Sequence, residues 1–195
     1  MFRNSSAKIT DKLIGLNTIN SEDREIYEFG IQHIFITLLN ISTVILIGFL
    51  IKSVKEAIVF ISAFIPLRIF AGGFHFSTPF RCYIFSSCFV AGVLLAMRYF
   101  SVPLLIYCLL YCISGIIILS FSPVEDRNKP LDRLEKKVYR KRTIIIFGLE
   151  NIAILILYFA KLHFAVQSIM VSTIILSLMI AFGFIKNSII NSKQI

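Results

Sequence analysis

The sequence predicts an all-α protein that crosses a membrane several times. Its 195 residues are 57% hydrophobic and only 16% charged, whereas soluble domains are roughly 45–50% apolar and about 25% charged. Apolar runs long enough to span a bilayer as helices recur along the chain. Six such segments are expected, at residues 26–51, 57–71, 79–97, 102–121, 143–160 and 164–185.

The first 25 residues are more polar than the rest and are predicted to form a segment outside the spans. Ile9, Leu13 and Leu16 fall on one face of a helix whose other side is polar. This pattern suits an amphipathic helix on the membrane surface, and a loosely ordered tail is the alternative. No cleavable signal peptide is expected, because this segment lacks an apolar core followed by small residues. Residues 26–195 are predicted to form a single integral-membrane domain.

Two further segments depart from the pattern of a simple span. Residues 57–71 are short and contain Pro66 and Arg68, so a kinked or frayed returning helix is expected there. Residues 122–142 carry eight basic and four acidic side chains, with apolar residues along one helical face. This pattern predicts a basic helix outside the membrane, which could serve as a topology signal, as a contact for anionic lipids or as a docking surface.

The distribution of positive charge predicts the orientation in the membrane. With the N-terminus inside and six alternating segments, 16 of the 20 Lys and Arg residues fall on the inner side. Positive residues collect in cytoplasmic loops, so both termini, the loop before residue 79 and residues 122–142 are predicted to be cytoplasmic. Topology accounts for the net charge of +9, and no nucleic-acid partner is expected.

Residue types capable of chemistry concentrate between the second and third segments. The candidate site residues are Arg68, Gly72, Gly73, His75, Arg81 and Cys82. Thr78 and Pro79 predict a helix start, which puts Cys82 in the first turn. Unpaired amides and the positive end of the helix dipole there favour a thiolate nucleophile, and the adjacent Arg81 adds positive charge.

His75 is the candidate general base for Cys82. In an unbroken helix their seven-residue spacing would separate them by about 10.5 Å along the axis. The predicted helix start and the Gly72–Gly73 pair allow the loop to fold back and bring imidazole and thiol together. The glycine amides are also candidate donors to an oxyanion.

The other polar residues leave several roles open. Arg68 is costly at the end of an apolar run unless it is paired, so it is expected either to bind a substrate carboxylate or to brace the loop through an acid such as Glu28 or Glu150. Glu150 is a candidate functional residue or a helix–helix contact. A residue that orients His75 cannot be chosen, although Glu125 and Asp126 lie on the same predicted side.

The cysteines do not predict a disulfide framework, a metal site or a cofactor. Cys82, Cys88, Cys108 and Cys112 lie in or beside apolar helices without a CxxC motif, which is untypical of disulfide or zinc frameworks. Cys88 points to a different helix face from Cys82, and no fourth ligand is evident. A zinc enzyme is therefore disfavoured.

The ordered set of Arg68, Gly72–Gly73, His75 and Cys82 resembles the signature of the accessory gene regulator B (AgrB) family of membrane cysteine endopeptidases. Two further stretches are similar to that family: EIYEFG at residues 25–30 and PVEDRNKP at residues 123–130. Length and hydropathy also match, so the resemblance covers most of the chain.

The resemblance implies a quorum-sensing enzyme in a bacterial plasma membrane that removes the C-terminal tail of an AgrD-like propeptide. Cys82 would form a thioester with the peptide while His75 acts first as base and then as acid. An internal Cys or Ser of the peptide would then close a thiolactone or lactone ring. A homodimer is also implied, in contact with membrane lipids. The alternative from another class is a non-catalytic peptide exporter or membrane scaffold.

Overall fold

The computed structural model describes residues 3–74, 78–100, 102–125 and 131–192, and these residues are almost entirely helical. The helices are α1 (Arg3–Gly15), α2 (Arg24–Leu50), α3 (Val54–Ala71), α4 (Pro79–Tyr99), α5 (Leu104–Phe121), α6 (Arg133–Phe159) and α7 (His163–Ser192), with one 3-10 turn at Ser21–Asp23. The predicted all-α class is confirmed.

Within the described residues, five helices are long and apolar enough to cross a membrane: α2, α4, α5, α6 and α7. The predicted segment at 57–71 is the remaining one of the six. It belongs to α3, which starts earlier, at Val54, and includes Lys55, Glu56 and Arg68. The helix continues through Pro66 to Ala71, so its 18 residues reach about 27 Å.

The basic segment and the fifth predicted span form one helix. α6 runs without a break from Arg133 to Phe159, so the basic helix is the first part of a span and not a separate element. Its start is fixed by a capping box in which the Glu135 amide donates to Asp132 Oδ1 (2.6 Å) and the Asp132 amide donates to Glu135 Oε2 (3.1 Å). Such reciprocal bonds satisfy amides that lack an intrahelical partner. Residues 126–130, which precede this start, lie outside the described residues.

α7 is the central helix of the bundle. Over its most apolar stretch it is 56% buried, against 28% or less for each of the other four candidate spans. One half of its buried face packs with α3, α5 and α6 through Val166, Ile169 and Met170. The other half packs Leu176 and Ile180 against the ends of α3 and α5. α7 is therefore the surface on which the neighbouring loops can be fixed.

The N-terminal helix α1 packs against the start of α2. Its contact face is made of small polar residues, since Ser6 and Thr10 are fully buried, and Arg24 joins the two helices by an ion pair to Asp11 (2.9 Å). The predicted apolar face is directed outward at Ile9 and Leu16, which are exposed. This arrangement agrees with an amphipathic helix.

α2 and α3 form a tight helical hairpin. Lys52 adopts a left-handed conformation (φ 58°), and the Ser53 amide donates to the Gly48 carbonyl (2.7 Å). A Cβ on Gly48 would lie 2.8 Å from the Ala57 Cβ, so the helices can approach this closely only because residue 48 has no side chain.

Replacement of Gly48 by Val is predicted to destabilise the protein by about 1–3 kcal/mol, the usual cost of overpacking. Thermal unfolding in detergent would measure it. The matched control is Gly30→Ala, because a Cβ on this other α2 glycine meets nothing within 4 Å. Equal melting temperatures for the two variants would contradict the packing described for the hairpin.

Candidate active site

Cys82 lies in the first turn of α4, as predicted. Thr78 occupies the N-cap position with an extended backbone (φ −125°, ψ 137°) and Pro79 is the first helical residue. The Cys82 amide donates to the Thr78 carbonyl (3.1 Å). Among the described residues, the Thr78 side chain makes no capping hydrogen bond, so the start is set by backbone conformation and by proline.

Cys82 is partly exposed and has a free thiol. Cys82 is half-buried and forms no disulfide, and the neighbouring Arg81 is exposed. Ahead of Cys82 in the first turn, the Phe80 and Arg81 amides have no partner within the helix, because the Cys82 amide is the first that has a helix or N-cap carbonyl four residues before it. The nucleophile candidate therefore stands beside helix-terminal N–H donors.

His75 lies outside the described residues, together with Phe76 and Ser77. The described chain reaches Phe74 on one side and resumes at Thr78 on the other. The pairing of His75 with Cys82 and the catalytic roles of both residues stay predictions. The structure describes how the chain that leads to His75 is held.

The two glycines allow the loop to pair with the segment that follows α5. Gly72 (φ 73°) and Gly73 (φ 123°) both have positive φ values, and Gly72 forms an isolated parallel bridge with Val124. The Val124 amide donates to the Ala71 carbonyl (3.0 Å) and the Gly73 amide to the Val124 carbonyl (3.4 Å). A Cβ on Gly72 would lie 2.0 Å from the Val124 carbonyl oxygen, so only glycine fits this approach.

α7 holds the residue directly before His75. The Phe74 amide donates to the Met179 carbonyl (2.8 Å), and the Lys186 ammonium lies 4.9 Å from the centre of the Phe74 ring, within the range of a cation–π contact. Gly183 makes the close approach possible, since a Cβ there would lie 2.8 Å from the Phe74 nitrogen.

Arg68 braces the loop from inside. Its guanidinium donates to the carbonyl oxygens of Gly72 and Phe74, the latter at 2.6 Å. A Cβ on Gly73 would lie 2.2 Å from Arg68 Nη1, so the second glycine also makes room for this side chain. Bracing was one of the two roles expected for Arg68. It was expected to act through an acidic side chain, whereas the guanidinium donates directly to main-chain carbonyls.

The acids suggested as partners for Arg68 have other contacts. Glu28 accepts from Arg24 (3.0 Å) at the start of α2. Glu150 is 7% exposed and accepts from Thr173 (3.3 Å) on α7. Glu150 therefore serves the helix–helix contact that the sequence left open as one of its two roles.

The expected use of the glycine amides as oxyanion donors is not supported. The Gly72 amide donates to the Arg68 carbonyl (3.2 Å), and the amides of Gly73 and Phe74 donate to Val124 and Met179. All three are thus engaged within the protein. The amides at the start of α4, in the same turn as Cys82, are the alternative donors.

Glu125 secures the other side of the bridge. Asn187 of α7 donates to its carbonyl (2.8 Å), while its carboxylate accepts from the Leu131 amide (3.1 Å) and pairs with Lys136. The hydrogen bond from Lys136 holds the pKa of Glu125 below its usual value, the Leu131 amide adds to this, and partial burial opposes it. A carboxylate with these contacts anchors the loop. Asp126, the other acid considered for orienting His75, lies outside the described residues.

Sequence reasoning missed the contribution of α7. Met179, Gly183, Lys186 and Asn187 share one helical face by spacing, and all four contact either the glycine loop or the segment after α5. A glycine within an apolar span, followed by two polar residues on the same face, was the only sequence sign. Within the described residues there is no group of three His, Cys, Asp or Glu side chains that could hold a metal.

Comparison with known proteins identifies the family. The family model described as accessory gene regulator B matches residues 6–186. A Clostridium perfringens (strain SM101 / Type A) protein, named only as AgrB-like, is 27% identical over 186 residues, covering 90% of this chain and 87% of that protein. AgrB-like protein 2 of C. perfringens (strain 13 / Type A) is 26% identical over 171 residues, covering 81% and 79%.

No solved structure matches the chain, so the sequence match carries the assignment. It spans nearly all of the helical bundle, including the glycine loop, Cys82 and the loop-binding part of α7. The resemblance seen in the motif residues is thereby confirmed at the level of the family. The chain is a membrane protein that belongs to the accessory gene regulator B family.

Proposed function

We propose that the chain is a cysteine endopeptidase that removes the C-terminal tail of an AgrD-like autoinducer propeptide. The observation that carries the proposal is a free, half-buried Cys82 in the first turn of α4, directly after a glycine loop that is bound on several sides. Nucleophilic cysteines typically occupy partly exposed, electropositive sites, and a helix N-terminus is one such site. Family membership supports the same reading.

The proposed reaction begins with transfer of the Cys82 proton to His75. The thiolate attacks the scissile carbonyl, and the amides of Phe80 and Arg81 donate to the oxyanion that forms. The carbon–nitrogen bond then breaks, His75 gives its proton to the departing amine, and the peptide remains as a thioester on Cys82. Attack by an internal Cys or Ser of the peptide closes the thiolactone or lactone ring and releases the Cys82 thiol.

Rigidity of the loop is part of the proposed mechanism. Arg68 and Met179 hold Phe74 by its carbonyl and its amide, and Phe74 is the residue before His75. Fixing the residue before the base reduces the conformational entropy that the chain must lose when imidazole and thiol meet. Arg68, Gly72 and Gly73 therefore support the site without touching the substrate.

We further propose that the site faces the cytoplasm of a bacterial plasma membrane. The end of the bundle that carries Cys82 also carries the starts of α2 and α6 and the end of α7, where the basic residues collect. This asymmetry is typical of a cytoplasmic face. The N- and C-termini are then cytoplasmic, and the propeptide approaches from that side. As a separate proposal, which the family resemblance implies, the chain functions as a homodimer in contact with membrane lipids.

Substitution of Cys82 by Ser is predicted to abolish cleavage of a co-expressed AgrD-like propeptide, because a serine hydroxyl is not activated at this site. Mass spectrometry of the peptide would show it uncut, and His75→Ala should give the same result. Cys88→Ser, on an exposed cysteine of the same helix, is the control and should cleave normally. Cleavage that persists in Cys82→Ser would favour a non-catalytic exporter or scaffold.

Replacement of Arg68 by Gln is predicted to lower the cleavage rate about 10- to 100-fold, since hydrogen bonds from a charged group contribute about 1.5–3 kcal/mol and each 1.4 kcal/mol is tenfold in rate. Arg68→Lys should retain more activity because its ammonium can still reach one carbonyl. Single-turnover rates at saturating peptide would measure this. Full activity in Arg68→Gln would show that the brace is not needed.

Replacement of Gly183 by Ala is predicted to displace the loop at Phe74 and to lower the rate about 5- to 140-fold, as expected for an overpacking cost of about 1–3 kcal/mol. The control is Gly148→Ala, where a Cβ meets nothing within 4 Å. Cleavage rates and melting temperatures would be compared. Equal rates for the two variants would contradict the role assigned to α7.

A further inference from the structure

A polar cavity lies at the end of the bundle opposite the candidate active site. Its volume is about 470 Å³. It opens where α2 and α4 end and where α3 and α7 begin. Its lining residues are Lys52, Ser53, Glu56, Met97, Arg98, Phe164 and Gln167.

Two of these residues are cations: the backbone of Lys52 and the side chain of Arg98 each contact main-chain carbonyls. Lys52 has a left-handed backbone (φ 58°), secured by the hydrogen bond from its amide to the Phe49 carbonyl (3.1 Å). The guanidinium of Arg98 donates to the Ile51 carbonyl. Because a guanidinium has five N–H groups, one carbonyl leaves most of its donors available to a ligand.

A buried hydroxyl also lines the cavity. Ser53 is 5% exposed and occupies the N-cap position of α3, yet it makes no capping hydrogen bond to the described residues. The first-turn amides of α3 therefore lack the cap that a serine at this position usually provides. Hydroxyl, amides and the positive end of the helix dipole together form an anion-binding arrangement.

The lining favours a phosphate attached to an apolar molecule. Lys52 and Arg98 against Glu56 leave a net charge of +1 around the cavity, which matches one phosphodiester, and Lys and Arg with a helix N-terminus are the usual partners of phosphate oxygens. Met97 and Phe164 add apolar surface to the same cavity.

The position of the cavity selects the kind of molecule. Next to Arg98, the side chains of Tyr99 and Phe100 are 72% and 69% exposed, as is typical of aromatic residues at the membrane–water interface. A ligand at this depth meets both lipid chains and water. We propose that the cavity binds the phosphodiester headgroup of a glycerophospholipid.

The test measures binding of dioctanoyl-phosphatidylglycerol to the purified full chain, with native mass spectrometry as the readout. Wild-type protein retains the lipid, whereas Lys52→Gln together with Arg98→Lys weakens binding at least tenfold. Arg98→Lys keeps the positive charge but removes the planar guanidinium, which can donate two parallel hydrogen bonds to a phosphate. Lys55→Gln is the control: it removes the same charge from an exposed residue of the same end that does not line the cavity, and its binding stays unchanged.

Two further probes identify the source of the phosphate. Dioctanoylglycerol, which lacks the phosphate, binds at least tenfold more weakly than the phospholipid, and inorganic phosphate displaces the lipid only at much higher concentration. Equal lipid binding by the Lys52→Gln/Arg98→Lys and Lys55→Gln variants, equal binding of dioctanoylglycerol, or phosphate binding as tight as that of the lipid would each overturn the proposal. Melting temperatures without lipid verify that each variant is folded.

Discussion

The fold of the candidate site depends on the hydrogen bonds from the Arg68 guanidinium to the carbonyls of Gly72 and Phe74. A cation at the end of a membrane helix is costly unless it is satisfied, and here the loop itself satisfies it. The same bonds stop the chain from leaving α3 as an extended linker. They turn it across α7, where Phe74 and Gly183 meet.

The opposite ends of the bundle use main-chain groups in related ways. At the candidate active site, Arg68 binds carbonyls of a loop that pairs with Val124. At the other end, Arg98 binds the carbonyl of Ile51 in the turn after α2. In each case a helix-terminal arginine secures a short connection, because carbonyls at helix ends lack intrahelical partners. The two arginines differ in what lies beside them. Arg68 lies beside the glycine loop that leads to His75 and Cys82, and Arg98 lies beside the cavity.

Most of the helices and the start of α4 were predictable from the sequence because both depend on local rules, although the joining of the basic helix to the fifth span was not. Apolar length defines a span, and Thr78–Pro79 defines a helix start whatever surrounds it. The partners of Arg68 were not predictable, since every residue carries a carbonyl and no side-chain pattern marks the one that will be used. Contacts of Gly183 with Phe74 join residues more than a hundred positions apart, so only the packed bundle reveals them.

The proposed mechanism requires a covalent bond between Cys82 and the peptide. The most direct measurement is the intact mass of wild-type protein, quenched in acid during turnover of an AgrD-like propeptide that lacks its internal nucleophile. The protein is expected to gain the mass of the N-terminal part of the peptide, on the fragment that contains Cys82, and hydroxylamine is expected to remove it. Complete cleavage of this peptide without any adduct on Cys82 would contradict it.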